Sequence, residues 1–266
     1  MSQIEVEKII EPVTASDGAG VKLKRSIGVE PNYFDPFLML DEFGSENSED
    51  YIAGFPPHPH RGIETVTYML AGDFEHKDST GGEGRMTAGD VQWMKTGSGI
   101  IHSEMPAMKE GKLHGFQLWI NMPAKLKMSK PEYIYIDADK MAVHKDDNKQ
   151  VKVIAGKFEK AEGPVKEHNV EPVYFDVELN KDKEFIFNLP STHNSFVYLI
   201  NGEVEKDKSY YWCSCGKSTK QPFCDASHKG TEFTPVVYKA EETKKMFFCA
   251  CKESSNQPFC DGSHNK

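Results

Sequence analysis

The sequence predicts a mainly β protein, a barrel or sandwich, followed by a small cysteine-rich domain. Short runs rich in β-branched and aromatic residues recur between glycine-containing turns over residues 20–135. Long helical periodicity is absent from the chain. All six cysteines lie in two related stretches, at 213–228 and 249–264. These three observations divide the chain into a β body and a C-terminal region with its own chemistry.

The first region, residues 1–144, contains the clearest strand candidates. The run "ETVTYMLAG" at 64–72 has the composition of a strand, as do "DVQWM" at 90–94 and "GFQLWINMP" at 115–123. Residues 76–90 predict a turn-rich loop with a hairpin-like return. Their glycines do not indicate a phosphate-binding loop, because no strand–loop–helix frame surrounds them.

A second β segment follows at 145–204, and the composition changes again after Glu205 to lysine, serine and cysteine. This segment has roughly half the length that a closed barrel needs. It is therefore open, completed by the C-terminal region at 205–266, or completed by another subunit. We expect a homodimer that pairs the exposed edges.

Charge and hydropathy limit the classes of partner. The net charge of −9 argues against general binding to nucleic acid. Residues 205–266 hold ten lysines and eight acidic residues, a mildly basic balance that suits contact with an acidic surface. There is no run of eighteen apolar residues and no segment of signal-peptide type, so we expect a cytoplasmic protein with no membrane partner. Cysteines in a reducing compartment indicate metal or redox chemistry rather than disulfides.

Two pairs of candidate metal ligands lie in the first region. His58 and His60 form one pair, and His102 and Glu104 form the other. Residues two apart on a strand point to the same face, so two adjacent strands would direct four donors to one point. Three imidazoles and one carboxylate suit a divalent metal such as Fe(II), while zinc, manganese and nickel stay open. Either pair alone is more often two surface residues, and the two pairs together favour a site.

Other polar residues near these pairs receive lesser roles. We expect Glu64 to face inward and to orient a histidine. His76 and His114 are expected to be solvent-facing or structural, although His114 would serve the pocket if its strand borders the site. His193 has no partner at the same spacing, so no second mononuclear site is expected.

The stretch from His58 to Pro106, "HPHRGIETVTYMLAGDFEHKDSTGGEGRMTAGDVQWMKTGSGIIHSEMP", resembles the pirin family of cupin proteins. The resemblance extends over about residues 3–203. It implies a bicupin fold, here one full cupin followed by a truncated second one. It also implies one iron bound by His58, His60, His102 and Glu104. The resemblance also implies two activities: oxygenation of flavonols such as quercetin, and binding to regulatory proteins that depends on the state of the iron.

The C-terminal region contains a duplicated set of thiol and imidazole donors. "CSCGKSTKQPFCDASH" and "CACKESSNQPFCDGSH" are identical at ten of sixteen positions and are offset by 36 residues. The donors are Cys213, Cys215, Cys224 and His228 in the first copy, and Cys249, Cys251, Cys260 and His264 in the second. Thiolates select zinc, copper(I) or iron–sulphur clusters. A zinc site more often has two residues between its first thiols, so the spacing here favours a larger group.

Both copies resemble the CDGSH iron–sulphur family, which implies two [2Fe–2S] clusters, each held by three cysteines and one histidine. Ala226 stands where the family has glycine, so the first cluster is expected to be the more labile. A pair of zinc-binding knuckles is the alternative. An imidazole ligand raises the reduction potential of a cluster and takes up protons near neutral pH. We therefore expect both clusters to become labile below about pH 6.

These features favour redox chemistry by an iron- and [2Fe–2S]-binding protein over any named substrate. The resemblance to pirins implies dioxygenation of a flavonol, a small aromatic substrate, as one function, with Glu104 as the proton acceptor. The clusters would keep the barrel iron ferrous by electron transfer. Two alternatives are a redox sensor that acts on a partner protein and an iron–sulphur cluster transfer protein. The sequence identifies neither the substrate nor the electron donor.

Overall fold

The fold comes from a computed structural model that describes residues 10–29, 34–166, 170–181, 183–190, 193–200, 209–212, 217, 227, 229, 233–239 and 257–259. The eight predicted cluster ligands lie outside the described residues. Internal contacts divide the chain into two units, one of residues 12–195 and one of residues 1–11 with 196–266. The predicted domain boundaries near residues 145 and 205 stay predictions.

Strands are the dominant element, which confirms the predicted fold class. In chain order they are β1 (Val13–Asp17), β2 (Val21–Ile27), β3 (Phe37–Ser45), β4 (Phe55–His60), β5 (Ile63–Ala71), β6 (Phe74–Asp78), β7 (Glu83–Met86), β8 (Val91–Lys95), β9 (Ile100–Pro106), β10 (Leu113–Asn121), β11 (Glu132–Ile136), β12 (Ala142–Lys145), β13 (Lys149–Ala155), β14 (Lys157–Phe158), β15 (Ala161–Glu162), β16 (Tyr174–Leu179), β17 (Ser209–Trp212) and β18 (Val236–Lys239). Three short 3₁₀ turns, Ser48–Asp50, Ala124–Leu126 and Ala138–Lys140, are the helical elements of the described residues.

Two antiparallel sheets form the first part of the larger unit. One has seven strands in the order β1-β2-β3-β10-β5-β8-β11, and the other has four in the order β4-β9-β6-β7. A core cluster joins them, because it combines Phe43 and Met69 of the first sheet with Phe74 and Met86 of the second. The strand pattern explains this core. In β2, for example, Val21 and Leu23 are buried while the intervening lysine is exposed.

Strand β5 is buried on both faces. Thr65, Thr67 and Met69 share one face of the strand, and Met69 belongs to the core between the two sheets. Tyr68 points to the opposite face, where its hydroxyl donates to Asp176 Oδ2 at 2.7 Å. Burial and the neighbouring Asp176 carboxylate raise the pKa of Tyr68. The second segment therefore covers the outer face of the barrel at this strand.

The second segment, counted hereafter from Ala142 at the start of β12, contains a three-stranded sheet in the order β12-β13-β16. Val151 and Val153 of β13 and the ring of Phe158 form its core, with Phe175, Phe185 and Phe187 packed around them. The described residues of the segment form no closed second barrel. Pairing of this open sheet with a second copy of the chain stays a prediction.

The other unit is described at few positions. Strands β17 and β18 form an antiparallel pair, in which Tyr210 lies opposite Tyr238. The Tyr238 ring packs edge-on against Phe259 at 5.1 Å. Across the described residues of the whole chain, no helix has the length and apolar character needed to span a membrane.

Candidate metal centre

The two predicted donor pairs lie on adjacent antiparallel strands. Strand β4 carries His58 and His60, strand β9 carries His102 and Glu104, and His58 lies directly opposite His102. Side chains two residues apart share a face, so this register brings the histidines of both strands together. The adjacent strand pair that the sequence predicts is confirmed.

Three histidines converge at one point. Ligating atoms of His58, His60 and His102 all lie within 4.8 Å of one another. The Nε2 atoms of His58 and His102 are 3.0 Å apart. His60 and His102 are buried. This close approach of imidazole nitrogens forms a candidate metal centre for a borderline divalent ion.

A hydrogen bond at Nδ1 of His58 fixes which of its two ring nitrogens carries the proton. Its Nδ1 is 2.8 Å from the carbonyl oxygen of Pro56 and must donate to it, because a carbonyl only accepts. The Nε2 atom of neutral His58 therefore presents a lone pair towards His102, which is the form that binds a metal.

Burial keeps two of the imidazoles uncharged. Desolvation, with the neighbouring histidines His102 and His58, lowers the pKa of His60 to about 4. Desolvation, with His58 and His76 nearby, lowers the pKa of His102 to about 3. Neutral imidazole is the ligand form of histidine, so the electrostatics of the site fit a metal cation.

Glu104 is held by two side chains from the opposite sheet. Its Oε1 accepts from the Thr67 hydroxyl at 2.9 Å and from Gln92 Nε2 at 2.8 Å. Thr67 also lies 2.6 Å from the Gln117 amide. A hydroxyl has one proton, so the Gln117 amide nitrogen must face Thr67 if Thr67 donates to Glu104. These bonds orient Glu104 and leave its Oε2 as the oxygen for a ligand.

The four predicted donors do not form a single group. Glu104 instead lies within 4.8 Å of His102 and His76, so two triads share His102. His76 has no exposed surface, and its Nδ1 is 3.4 Å from Nδ1 of His102. Of the two expectations for His76, solvent-facing or structural, the first is therefore wrong. Strand β6 pairs with β9 and places His76 opposite Glu104, a long-range register that local sequence does not show.

The predicted role of Glu64 is also wrong. Glu64 is fully buried, but it lies on the outer face of β5 rather than facing inward, and its Oε2 accepts from the Trp93 indole at 2.7 Å. It shares a face of β5 with Tyr68, opposite to the face on which Thr67 contacts Glu104. His114 has a structural role instead, since its Nε2 is 2.9 Å from Glu42 on the adjacent strand.

A cavity of about 200 Å³ opens beside the histidines. His58, His60 and Glu104 line it together with an apolar wall formed by Met39, Phe43, Phe55, Phe74 and Trp119. The Trp119 ring packs edge-on against His60 at 5.1 Å. Its indole nitrogen is buried and has no hydrogen-bond partner among the described residues. The cavity thus combines the candidate donors with an aromatic wall and an unused N–H donor.

Thr67, Gln92, Gln117 and Trp119 are site residues that sequence reasoning missed. Each lies in a run that predicts a strand, and none carries a metal-binding pattern of its own. Polar residues inside otherwise apolar strand runs were the available signal, because a buried polar side chain requires a partner.

The sequence matches known families in both regions. Residues 20–120 match the pirin family. A pirin-like protein from Caulobacter vibrioides is 47% identical over 202 residues, which cover 75% of this chain and 73% of that protein. Human pirin is 38% identical over 191 residues, which cover 71% of this chain and 64% of that protein.

A solved quercetin 2,3-dioxygenase from Acinetobacter baumannii has a similar fold. The TM-score is 0.57 at 28% identity, and the match covers 65% of this chain and 57% of that one. In the C-terminal region, residues 191–229 and 232–265 each match the family of iron-binding zinc fingers of the CDGSH type. The duplication that the sequence predicts is therefore confirmed, and both regions resemble iron-binding families.

Proposed function

We propose that this chain, which belongs to the pirin family and carries two CDGSH-type iron-binding motifs, is an iron-dependent redox enzyme. In this proposal the barrel binds one Fe(II) through His58, His60 and His102, and Glu104 of the neighbouring triad completes the ligand set. The protein then dioxygenates a small aromatic substrate of the flavonol class. The observation that supports this most is the convergence of three imidazoles, two of them buried, beside an aromatic cavity that His58 and His60 line.

The donor set fits a ferrous ion. Neutral imidazoles and one carboxylate are ligands that iron(II) accepts, and His58 already presents a lone pair. A ferrous ion, when bound, supplies a redox-active centre with positions open to substrate and dioxygen. The protein contributes the orientation of each donor and a cavity wall that excludes water.

Glu104 has a second role in this proposal. Its Oε1 is occupied by two hydrogen bonds, so its Oε2 is the atom that would bind the ion at rest and would take up the phenolic proton of a substrate that replaces it there. Dioxygenation of a flavonol draws its electrons from the substrate, so turnover requires no reductase. It requires only that the barrel iron stays ferrous.

The C-terminal motifs supply that reducing capacity in our proposal. Each motif offers three cysteines and one histidine, the ligand set of a [2Fe–2S] cluster with a raised potential. A reduced cluster in the same chain would give one electron to oxidised barrel iron and return it to Fe(II), and an external electron donor would reduce the cluster again. The ligands of both clusters lie outside the described residues, so the support for this step comes from the motifs and the family match.

One observation favours the redox-sensor alternative. A cavity of about 200 Å³ is smaller than the ~300–1,000 Å³ typical of sites for drug-sized ligands. A flavonol would then protrude from the cavity, whereas a sensor needs only the iron and a responsive surface. The enzymatic and sensing proposals share the metal centre and differ in whether substrate is consumed.

The test is anaerobic purification followed by metal and sulphide analysis, and then oxygen uptake with quercetin. We expect two clusters and one further iron per chain, with quercetin and oxygen consumed in equal amounts. Fully loaded protein that leaves quercetin unchanged would exclude the flavonol assignment and favour the sensor. Colourless protein without inorganic sulphide would exclude the clusters and favour zinc in the C-terminal motifs.

A further inference from the structure

His76 and Asp78 form a buried chain of polar contacts behind His102. His76 Nδ1 is 3.4 Å from His102 Nδ1, and His76 Nε2 is 3.0 Å from Asp78 Oδ2. The side chains of His76 and Asp78 are both fully buried. We infer that this pair positions His102 for metal binding by fixing which of its ring nitrogens carries the proton. The inference rests on the proposed barrel metal site.

Strand register creates this chain. On β6, His76 and Asp78 are two residues apart and share a face, and Asp78 lies directly opposite His102 on β9. Both side chains therefore point to the interior surface that also carries His102. Strand β6 pairs with β9 on the side opposite to β4, which carries His58 and His60, so His76 and Asp78 approach His102 from its other side.

The hydrogen bonds have only one consistent direction when both imidazoles are neutral. Ionised Asp78 can only accept, so His76 Nε2 must donate to it. The Nδ1 of His76 is then an acceptor, and His102 Nδ1 donates to it. This leaves the lone pair of His102 on Nε2, the atom that faces His58 at 3.0 Å. Metal-binding histidines commonly use a carboxylate for this purpose, and here a second histidine transmits the effect.

A tight turn holds Asp78 in its acceptor role. Asp78 Oδ1 accepts from the Thr80 backbone N–H at 2.7 Å, the Thr80 hydroxyl at 2.6 Å and the Gly82 N–H at 3.1 Å. A Cβ atom at position 82 would collide with Asp78 Oδ2. Gly82 therefore gives the carboxylate room for its contact with His76.

The other side of His76 is fixed by an aromatic ring. Tyr133 stacks on the imidazole at 4.3 Å with an angle of 6° between the rings. A Cβ atom at position 84 would collide with the Tyr133 hydroxyl, so Gly84 permits this stacking. The glycines of this hairpin thus serve the geometry of His76 rather than a bound phosphate.

The test compares metal binding by three variants of the full-length protein. In Asp78→Asn the amide oxygen takes over the bonds from Thr80 and Gly82, and its NH₂ group faces His76. That change reverses the chain and moves a proton onto His102 Nε2. In His76→Gln the amide oxygen can still accept from His102 Nδ1. Asp146→Asn is the matched control, because residues 144–146 repeat the sequence His-Lys-Asp with a His144–Asp146 contact of 3.2 Å at the surface.

The probe is Mn(II), since binding removes the EPR signal of the free ion and oxidised [2Fe–2S] clusters give none. We expect Asp78→Asn to weaken binding by about 10- to 100-fold. His76→Gln should stay close to wild type, and Asp146→Asn should not change binding. The reverse order, with His76→Gln the weakest, would overturn the inference by showing that His76 is itself a ligand. Wild-type binding by Asp78→Asn would overturn it as well.

If a variant does not fold, the unsubstituted protein can be measured instead. Nitrogen NMR of the Zn(II)-loaded wild type should show His102 protonated at Nδ1 and bound to the metal through Nε2. The opposite tautomer would overturn the inference directly. A wild type that binds no Mn(II), Fe(II) or Zn(II) in the barrel would instead overturn the proposed metal site.

Discussion

The barrel and the second segment each contain the tripeptide His-Lys-Asp, at residues 76–78 and 144–146. In both copies histidine Nε2 approaches aspartate Oδ2, at 3.0 and 3.2 Å, and the other aspartate oxygen accepts backbone N–H groups from a turn. Their surroundings differ. The strand beside His76 supplies His102, whereas Val151 lies opposite His144. The same three residues form part of a candidate site only where the neighbouring strand brings a ligand.

The interiors of the two regions differ in the same way. The barrel surrounds a cavity of about 200 Å³ that carries imidazoles on its wall. In the second segment, Phe158, Phe175, Phe185 and Phe187 pack against one another, with ring centroids 4.9–6.5 Å apart. One interior leaves space for a ligand and the other is occupied by side chains. The comparison predicts that substitutions in the barrel change binding and that substitutions in the second segment change stability.

The largest expected effect is the loss of the metal centre in His102→Ala. His102 belongs to both triads, so its removal should weaken metal binding by more than the ~10- to 100-fold cost of losing an outer partner. His144→Ala is the control and should bind as wild type does. Metal content after anaerobic loading measures both variants. Equal metal content in the two variants would show that the barrel metal does not bind at His102. The two tripeptides would then not differ in their relation to a metal site.

A second prediction compares a variant that should change stability with one that should change binding. Phe158→Ala removes a ring that is 4% exposed and contacts three other phenylalanines, so it should cost about 3–5 kcal/mol of unfolding free energy. Trp119→Phe keeps the aromatic wall and removes an indole N–H that has no partner among the described residues. It should leave stability nearly unchanged and weaken quercetin binding by about 3- to 10-fold, the value of one hydrogen bond.

Denaturant unfolding and a binding titration measure both variants. If Phe158→Ala proved harmless, the second segment would not depend on its aromatic core. Unchanged quercetin affinity in Trp119→Phe would mean that the indole N–H does not contact the ligand.

The third prediction concerns the dependence of stability on pH in the metal-free protein. The pKa values of His60 and His102 are lowered from 6.5 to about 4 and about 3 by burial. Between pH 6.5 and about 4 the unfolded chain therefore binds protons that the native state does not, and stability falls as the pH falls. The loss is roughly 1.4 kcal/mol per pH unit for each histidine.

Urea unfolding of chelator-treated protein at pH 7, 6 and 5 measures this slope. His60→Asn should remove about half of it, because one of the two buried imidazoles is then absent. A stability that does not change across this range would show that both histidines take up protons in the folded barrel.

The sequence predicts much of the barrel from local patterns. β-Branched and aromatic runs correctly locate β5, β8 and β10, and the spacing of two residues correctly places His58 with His60 and His102 with Glu104 on shared faces. Glu64 was misplaced because counting from His60 assumes a continuous strand. Gly62, at φ +68°, ends that continuity between β4 and β5, so the alternation does not carry over.

The outer partners of the site could not be predicted in this way. The role of His76 depends on the pairing of β6 with β9, and that of Thr67 depends on the contact between the two sheets. Both are long-range relations between segments with no distinctive residues. Pairing of this kind is decided by the packing of the whole barrel rather than by the residues that flank each side chain.

Strand β5 links the second segment to the metal centre through two adjacent residues. Thr67 donates to Glu104 inside the barrel, and Tyr68 donates to Asp176 on the outside. A chain that ends before residue 142 would keep every donor of the candidate metal centre. It would lose Asp176, which supports β5 from outside the barrel. The half-length cupin, whose described residues contribute no donor to the candidate centre and form no closed second barrel, thus supports the strand whose threonine orients the Glu104 carboxylate.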